Sequence, residues 1–252
     1  MTRHDLRHIQ QQHKKNPESS AETSSYNDIP IFCAKGIHES IFNALEKRVL
    51  PKNAAILVLG SGPGAFEARL LDHGYTNITS VEFIEENFAV KGTTFFPRDL
   101  NEDFSDLGMF DAIIAIEIIE HLENQFHFIR NVKRLMKQDA VFYVSTPNAE
   151  SSFSRMKFGL SGRLQYFGPG ELAGTGHITP IFGHIFRFNL DQSGLVIRRQ
   201  FTNANIWTTL LAYPNILIRA GYFLLFLLHF CLLRNDDSEI NLFEISRKET
   251  LD

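Results

Sequence analysis

Two groups of residues in this chain have types and spacings that can do chemistry. The first is Gly60-Ser61-Gly62-Pro63-Gly64 together with Glu82. Glycines let a backbone approach a ligand closely and take dihedrals that a side chain forbids. A helix that starts behind them presents unpaired N–H groups to a polar ligand. An acid about 20 residues further on, at the end of the next strand, is placed to bond both hydroxyls of a ribose. The second group is Glu117-Ile118-Ile119-Glu120-His121, in which Glu117, Glu120 and His121 fall at i, i+3 and i+4. A helix starting here projects all three from one face. Two carboxylates and an imidazole suit a divalent cation, or His121 serves as a general base near neutral pH. Two acids complementing a helix N-terminus are the structural alternative.

The elements around these residues are those a nucleotide site needs. Ala55 to Leu59 is a short apolar run ending in glycines, the pattern of a strand buried on both faces. Ala65 to Leu71 has Phe66, Leu70 and Leu71 at helix spacing, His73-Gly74 makes a turn, and Ile78 to Val81 is a second strand ending in Glu82. An amphipathic helix over residues 36–49 precedes them, with Ile37, Ile41, Leu45 and Val49 on one side. Lys35, Gly36 and His38 stand where this helix either faces the ligand or simply packs. A helix-sized interval follows Glu82, then a strand at Thr93–Phe96 and the loop Arg98-Asp99-Leu100. Phe110–Ile116 is a buried strand, residues 124–136 a helix, and 140–148 a fifth strand. Strands at 195–201 and 240–246 complete a doubly wound α/β sheet of about seven strands. Most should be parallel, with an antiparallel last strand.

The glycines alone leave the ligand open. Gly60, Gly62 and Ala65 fit the G-x-G-x-x-A form of a dinucleotide loop, whereas Gly60, Gly62 and Gly64 fit G-x-G-x-G. Taken with VEF at 81–83, RDL at 98–100, FDAIIAIEIIEHL at 110–122 and VFYVSTPN at 141–148, the chain resembles the class I S-adenosylmethionine-dependent methyltransferases. Within that Rossmann-like family it is similar to the ubiquinone-biosynthesis O-methyltransferases, small-RNA 3′-end methyltransferases and bacterial envelope-associated relatives. The resemblance implies that Gly60, Ser61, Gly62 and Gly64 line the methionine portion of S-adenosylmethionine. It also implies that Glu82 holds the ribose, that Asp99 and Leu100 hold the adenine, and that Glu117 lies beside the cofactor. It further implies that Glu117, Glu120, His121 and His177 are the candidate ligands of a Mg, Mn or Zn ion. Glu117, His121 and His177 are then the candidate catalytic residues. His177 lies in Gly174-Thr175-Gly176-His177, a glycine-flanked loop, while His184 reads as structural. One departure stands out: the family carries an acid two residues before its first glycine, and here that position is Val58.

The 252 residues carry a net charge of −4 and two distant cysteines, Cys33 and Cys231. Such a charge gives no field for nucleic acid, and the cysteines suit a reducing compartment. Residues 1–28 read as a disordered polar arm, and 29–205 as the cofactor domain, with a basic, aromatic lid at 150–180. Residues 206–236 form an insertion before the last strand and tail at 237–252. Ile206–Leu233 is apolar apart from Arg219 and a few polar residues. A single crossing would leave the last strand on the wrong side of a membrane from its sheet. Two short helices dipped into one leaflet, or a homodimer surface, are the readings that remain. The expectation is a methyltransferase at the cytoplasmic membrane face, acting on an oxygen of a small, lipid-linked, quinone-like or glycan acceptor. A catalytically silent scaffold of the same fold is the alternative.

Overall fold

The computed structural model describes residues 25–205, 221, 223 and 238–249. The arm 1–24 and nearly all of the insertion at 206–236 lie outside the described residues. Residues 25–28, which composition assigns to the arm, belong instead to a small hairpin of β1 (Ser25–Tyr26) and β2 (Ile29–Pro30). Its two-residue turn places Asn27 and Asp28 at φ 49° and 61°, conformations that Asn and Asp tolerate in such a turn. Polar bonds anchor the hairpin: the Tyr26 hydroxyl and the Asn27 amide donate to Asp72 at 3.0 and 2.7 Å. Hydrophobic patterning does not reveal an anchor of that kind.

The main sheet has seven strands: β3 (Ile56–Leu59), β4 (Ile78–Glu82), β5 (Thr94–Pro97), β6 (Phe110–Ala115), β7 (Met136–Pro147), β8 (Leu195–Asn205) and β9 (Ser238–Arg247). Their spatial order is β5-β4-β3-β6-β7-β9-β8. All neighbours among β3–β7 pair in parallel, and β9 alone is reversed, antiparallel to both β7 and β8. Side chains alternate between two cores. Val58 and Ile56 meet α1 (Ile37–Glu46) and α2 (Ala65–Asp72) on one face; Leu57 and Leu59 meet α3 (Gln125–Leu135) and α6 (Gly183–Gln192) on the other. Two helices, α4 (Ser152–Ser161) and α5 (Pro169–Gly174), follow β7 in the segment expected to form a lid.

Two local expectations are corrected. The interval after Glu82 holds a single 3-10 turn, Glu85–Asn87. The chain there turns inward, with Ala89 N–H bonded to Pro63 O at 3.1 Å and the Phe88 ring stacked on Phe95 at 4.7 Å. Nor does a helix begin at Glu117. That residue takes φ 48°, Ile119–His121 form a 3-10 turn, and α3 starts only at Gln125, where Asn124 caps it. The Glu120 carbonyl, which a continuing helix would use, instead accepts from Ile178 and Thr179 N–H at 3.0 and 2.9 Å.

Candidate active site

The glycine loop crosses the C-terminal ends of β3 and β4, where a parallel sheet leaves room for a ligand. Gly60, Gly62 and Gly64 all have positive φ, 73°, 53° and 95°. Their surroundings differ. A methyl group on Gly60 would meet Ile118 at 2.7 Å and one on Gly64 would meet Val90 at 2.5 Å, while one on Gly62 would point into open space. Gly62 is therefore the open position of the loop, set between two glycines that packed neighbours press upon.

Glu82 ends β4 beside this loop. One carboxylate oxygen accepts from Gly62 N–H at 2.8 Å and the other from Ile84 N–H at 3.0 Å. Burial raises its pKa, and these backbone donors pull it partly back. A third backbone donor, Phe83 N–H, also acts on this carboxylate. Asp99 follows β5; its Oδ1 accepts from the Asn101 backbone and side-chain amides at 2.9 and 3.1 Å. Asn101 in turn accepts from Glu123 N–H at 2.9 Å, tying this loop to the segment after Glu117. Pro97, Arg98 and Asp99 border a surface depression of about 550 Å³, while Leu100 is buried behind them. These residues fit an adenosyl group: an open glycine face, an anchored acid and a hydrogen-bonding loop.

Beyond β6 the second group assembles. Glu117 N–H donates to Ser145 Oγ on β7 at 3.1 Å, and the left-handed turn at Glu117 swings the following residues toward the lid. Glu120 is buried, with both carboxylate oxygens lacking a hydrogen-bond partner. Burial raises the carboxyl pKa of Glu117 and of Glu120, and the charge of Glu117 raises Glu120 further. His121 Nδ1 lies 3.2 Å from Gly176 O and His177 Nδ1 2.9 Å from Tyr166 O. A carbonyl only accepts, so each Nδ1 carries the proton and Nε2 is the basic nitrogen. The rings meet edge to face at 4.9 Å.

One ligand atom each from Glu120, His121 and His177 falls within 4.8 Å of the others. The structure thus brings together three of the four candidate metal ligands, and Glu117 stands outside that set. His38 packs edge-on against Phe66 at 5.3 Å, and burial pushes it down to about 4. His184 is exposed on α6. Burial beside Glu117 holds Cys33 as a thiol, which removes it as a nucleophile.

Sequence reasoning placed Tyr166 only among the aromatic residues of the 150–168 segment, and it missed Glu67. Tyr166, at φ 65°, orients His177 through its carbonyl and faces the Glu239 carboxylate with its phenol. Nothing in the local pattern marks it. Glu67 is wholly buried under the glycine loop. Its signal was legible: it is an acid on the same helical stripe as Leu70 and Leu71.

Residues 33–195 match the family model described as "Methyltransferase domain". A ubiquinone biosynthesis O-methyltransferase of Rickettsia typhi is 29% identical over 101 residues, 37% of this chain and 41% of that protein. The EEF1A lysine methyltransferase 2 of Danio rerio is 23% identical over 150 residues, 50% of this chain and 64% of that one. The matched stretch is thus less than two thirds of either relative. A SAM dependent methyltransferase from Archaeoglobus fulgidus is similar in structure, with TM-score 0.57 and 17% identity over 84% of this chain and 94% of that one. The magnesium protoporphyrin IX methyltransferase of Synechocystis, solved with bound SAH, has TM-score 0.56 and 13% identity over 84% of this chain and 82% of that one. At such identities the structural likeness speaks for the fold.

Proposed function

The chain belongs to the methyltransferase-domain family, and on that footing we propose that it transfers the methyl group of S-adenosylmethionine to an oxygen of a small, lipid-linked, quinone-like or glycan acceptor. The observation that carries the reading is the glycine loop closed onto Glu82 at 2.8 Å, at the same sheet end as the Glu117–His121–His177 group. S-adenosylmethionine supplies an electrophilic methyl group on a sulfonium. Gly62 offers the open backbone surface beneath it, Glu82 holds the ribose, and Asp99 with Leu100 borders the adenine. Catalysis rests mainly on holding donor and acceptor in line. With no ion bound, the His177 Nε2, set by the Tyr166 carbonyl, takes the acceptor proton; with one bound, the same nitrogen is a ligand instead.

Oxygen is favoured as the acceptor atom by this oriented imidazole and by the similarity to a ubiquinone O-methyltransferase; the lysine methyltransferase relative is the counterweight. Glu120, His121 and His177 would hold a divalent ion, and its chemistry there would be to lower an acceptor hydroxyl's pKa. An orphaned buried carboxylate beside two oriented imidazoles fits such an ion. The lipid-linked acceptor is supported by topology. Asn205 pairs with Ser238 and Pro147 with Ile240, so the apolar insertion leaves and re-enters at the site's end of the sheet. Among the described residues no helix is long and apolar enough to cross a membrane.

Calorimetric titration with S-adenosylhomocysteine tests the cofactor reading. Binding by wild type that is lost in Glu82→Ala supports it. No binding by wild type favours the catalytically silent scaffold, the reading to which the buried apolar Val58 lends support.

A further inference from the structure

Glu67 is a buried acid that the proposed chemistry does not use. It lies in the first turn of α2, directly behind the glycine loop, with no solvent-exposed surface. Neither carboxylate oxygen has a hydrogen-bond partner. Its neighbours explain why. The Ser61 and Ser80 hydroxyls are close enough to influence it, but Ser61 Oγ donates to Val58 O at 3.4 Å and Ser80 Oγ to Thr93 Oγ1 at 3.1 Å. Each hydroxyl has one hydrogen, which it can turn either to these oxygens or to the Glu67 carboxylate. The charged group facing Glu67 from another element is Glu82 on β4, itself an acid. An isolated carboxylate in such a place is costly as an anion, and burial pushes this one up to about 7.

The site has a second feature. Val58 is directly paired with Ser80 in the parallel register of β3 and β4, and both side chains point toward the face where α2 packs. Glu67 therefore reaches from the helix into the neighbourhood of the strand position that holds an apolar residue here. It supplies from α2 a carboxylate that β3 lacks.

We propose that Glu67 is the anionic positioning residue of the glycine loop, ionising as the α-ammonium group of the cofactor's zwitterionic aminoacyl end settles on the loop. Ionisation is accompanied by rotation of the Ser61 and Ser80 hydroxyls toward the carboxylate. Bond accounting is simple: Glu67 releases one proton to solvent, and no covalent bond between heavy atoms changes. This rests on the cofactor assignment above.

The test is calorimetry of the full chain with S-adenosylhomocysteine in two buffers of different ionisation heat. Wild type is expected to release about half a proton per cofactor near pH 7, with affinity rising about tenfold between about pH 6 and about pH 8. In Glu67→Gln the proton release and the pH slope should both disappear. A variant that keeps both overturns the proposal. Should Glu67→Gln fail to fold, Glu67→Leu and Val58→Asp/Glu67→Leu decide. Returning the acid to the strand should recover at least tenfold in affinity over Glu67→Leu, and no recovery overturns the proposal. Wild type that binds no S-adenosylhomocysteine overturns the cofactor assignment and this inference together. Binding with unchanged proton release in the variant overturns this inference alone.

Discussion

Three glycines within five residues do different work, because their neighbours differ. At Gly60 and Gly64 a methyl group would collide with Ile118 and Val90 at 2.7 and 2.5 Å, on top of a left-handed backbone that costs on the order of 1 kcal/mol or more. Gly60→Ala and Gly64→Ala should lower stability by roughly 2–3 kcal/mol, read from urea midpoints. Gly62→Ala meets open space; it should cost only about 1 kcal/mol of stability but weaken S-adenosylhomocysteine binding markedly in calorimetry. Equal effects at all three positions would contradict this division. His177 makes a complementary case. The proton transfer proposed for it predicts that His177→Ala lowers kcat by about 10² or more while leaving S-adenosylhomocysteine affinity near wild type. Glu67 bears on the unliganded protein as well. Its carboxyl is raised from 4.5 to about 7 in the fold, so the folded state holds a proton that the unfolded state releases. Its stabilising contribution is full below about pH 4.5, falls as pH rises through about 7, and changes by on the order of 3 kcal/mol. Unfolding of Glu67→Gln across this range should show a flatter pH dependence than wild type.

At the scale of elements, α3 is started by its cap. Asn124 accepts from His127 N–H at 3.0 Å, and Lys133 and Arg134 favour the negative end of the helix dipole. Phe128, Ile129, Val132 and Leu135 bury one face of the helix against the sheet. Asn124→Ala is expected to cost about 1 kcal/mol, measured by thermal or urea unfolding. It should leave cofactor affinity unchanged, because the segment that carries Glu120 and His121 is held by its own bonds. Those bonds run from Ile178 and Thr179 N–H to the Glu120 carbonyl, so the loop bearing His177 and the turn bearing His121 are tied directly to each other. Metal analysis after dialysis checks the same pair. A divalent ion retained by wild type should be lost from both His121→Ala and His177→Ala.

At the scale of the whole molecule, the reversed strand β9 closes the sheet between β7 and β8. Asn205 and Ser238 are paired across this ladder, so the 32 residues between them begin and end side by side. Replacing 206–237 by a short glycine-containing turn should therefore leave the sheet and S-adenosylhomocysteine binding intact. It should abolish any flotation of the protein with anionic vesicles that the intact chain shows. A shortened chain that no longer folds would make the insertion part of the core instead.

Periodicity and turn chemistry in the sequence were enough to determine the order of the main-sheet strands and the helices on either side of the first of them. Ile56–Leu59, buried on both faces, and the acid ending at Glu82 are local patterns that survive in any doubly wound sheet. The antiparallel last strand was implied by the family resemblance, since periodicity does not set strand direction. What local pattern misread were segments shaped by distant partners. Residues 83–93 had the length of a helix, yet Phe88 and Val90 turned onto the glycine loop. Glu117 had helical spacing to Glu120 and His121, yet a left-handed turn separated it from the cluster they form with His177. Tyr166 and Glu67 gained their places only when the lid and α2 packed down. Backbone periodicity is written in neighbouring residues, whereas the partner of a buried acid or an imidazole is chosen by the three-dimensional packing.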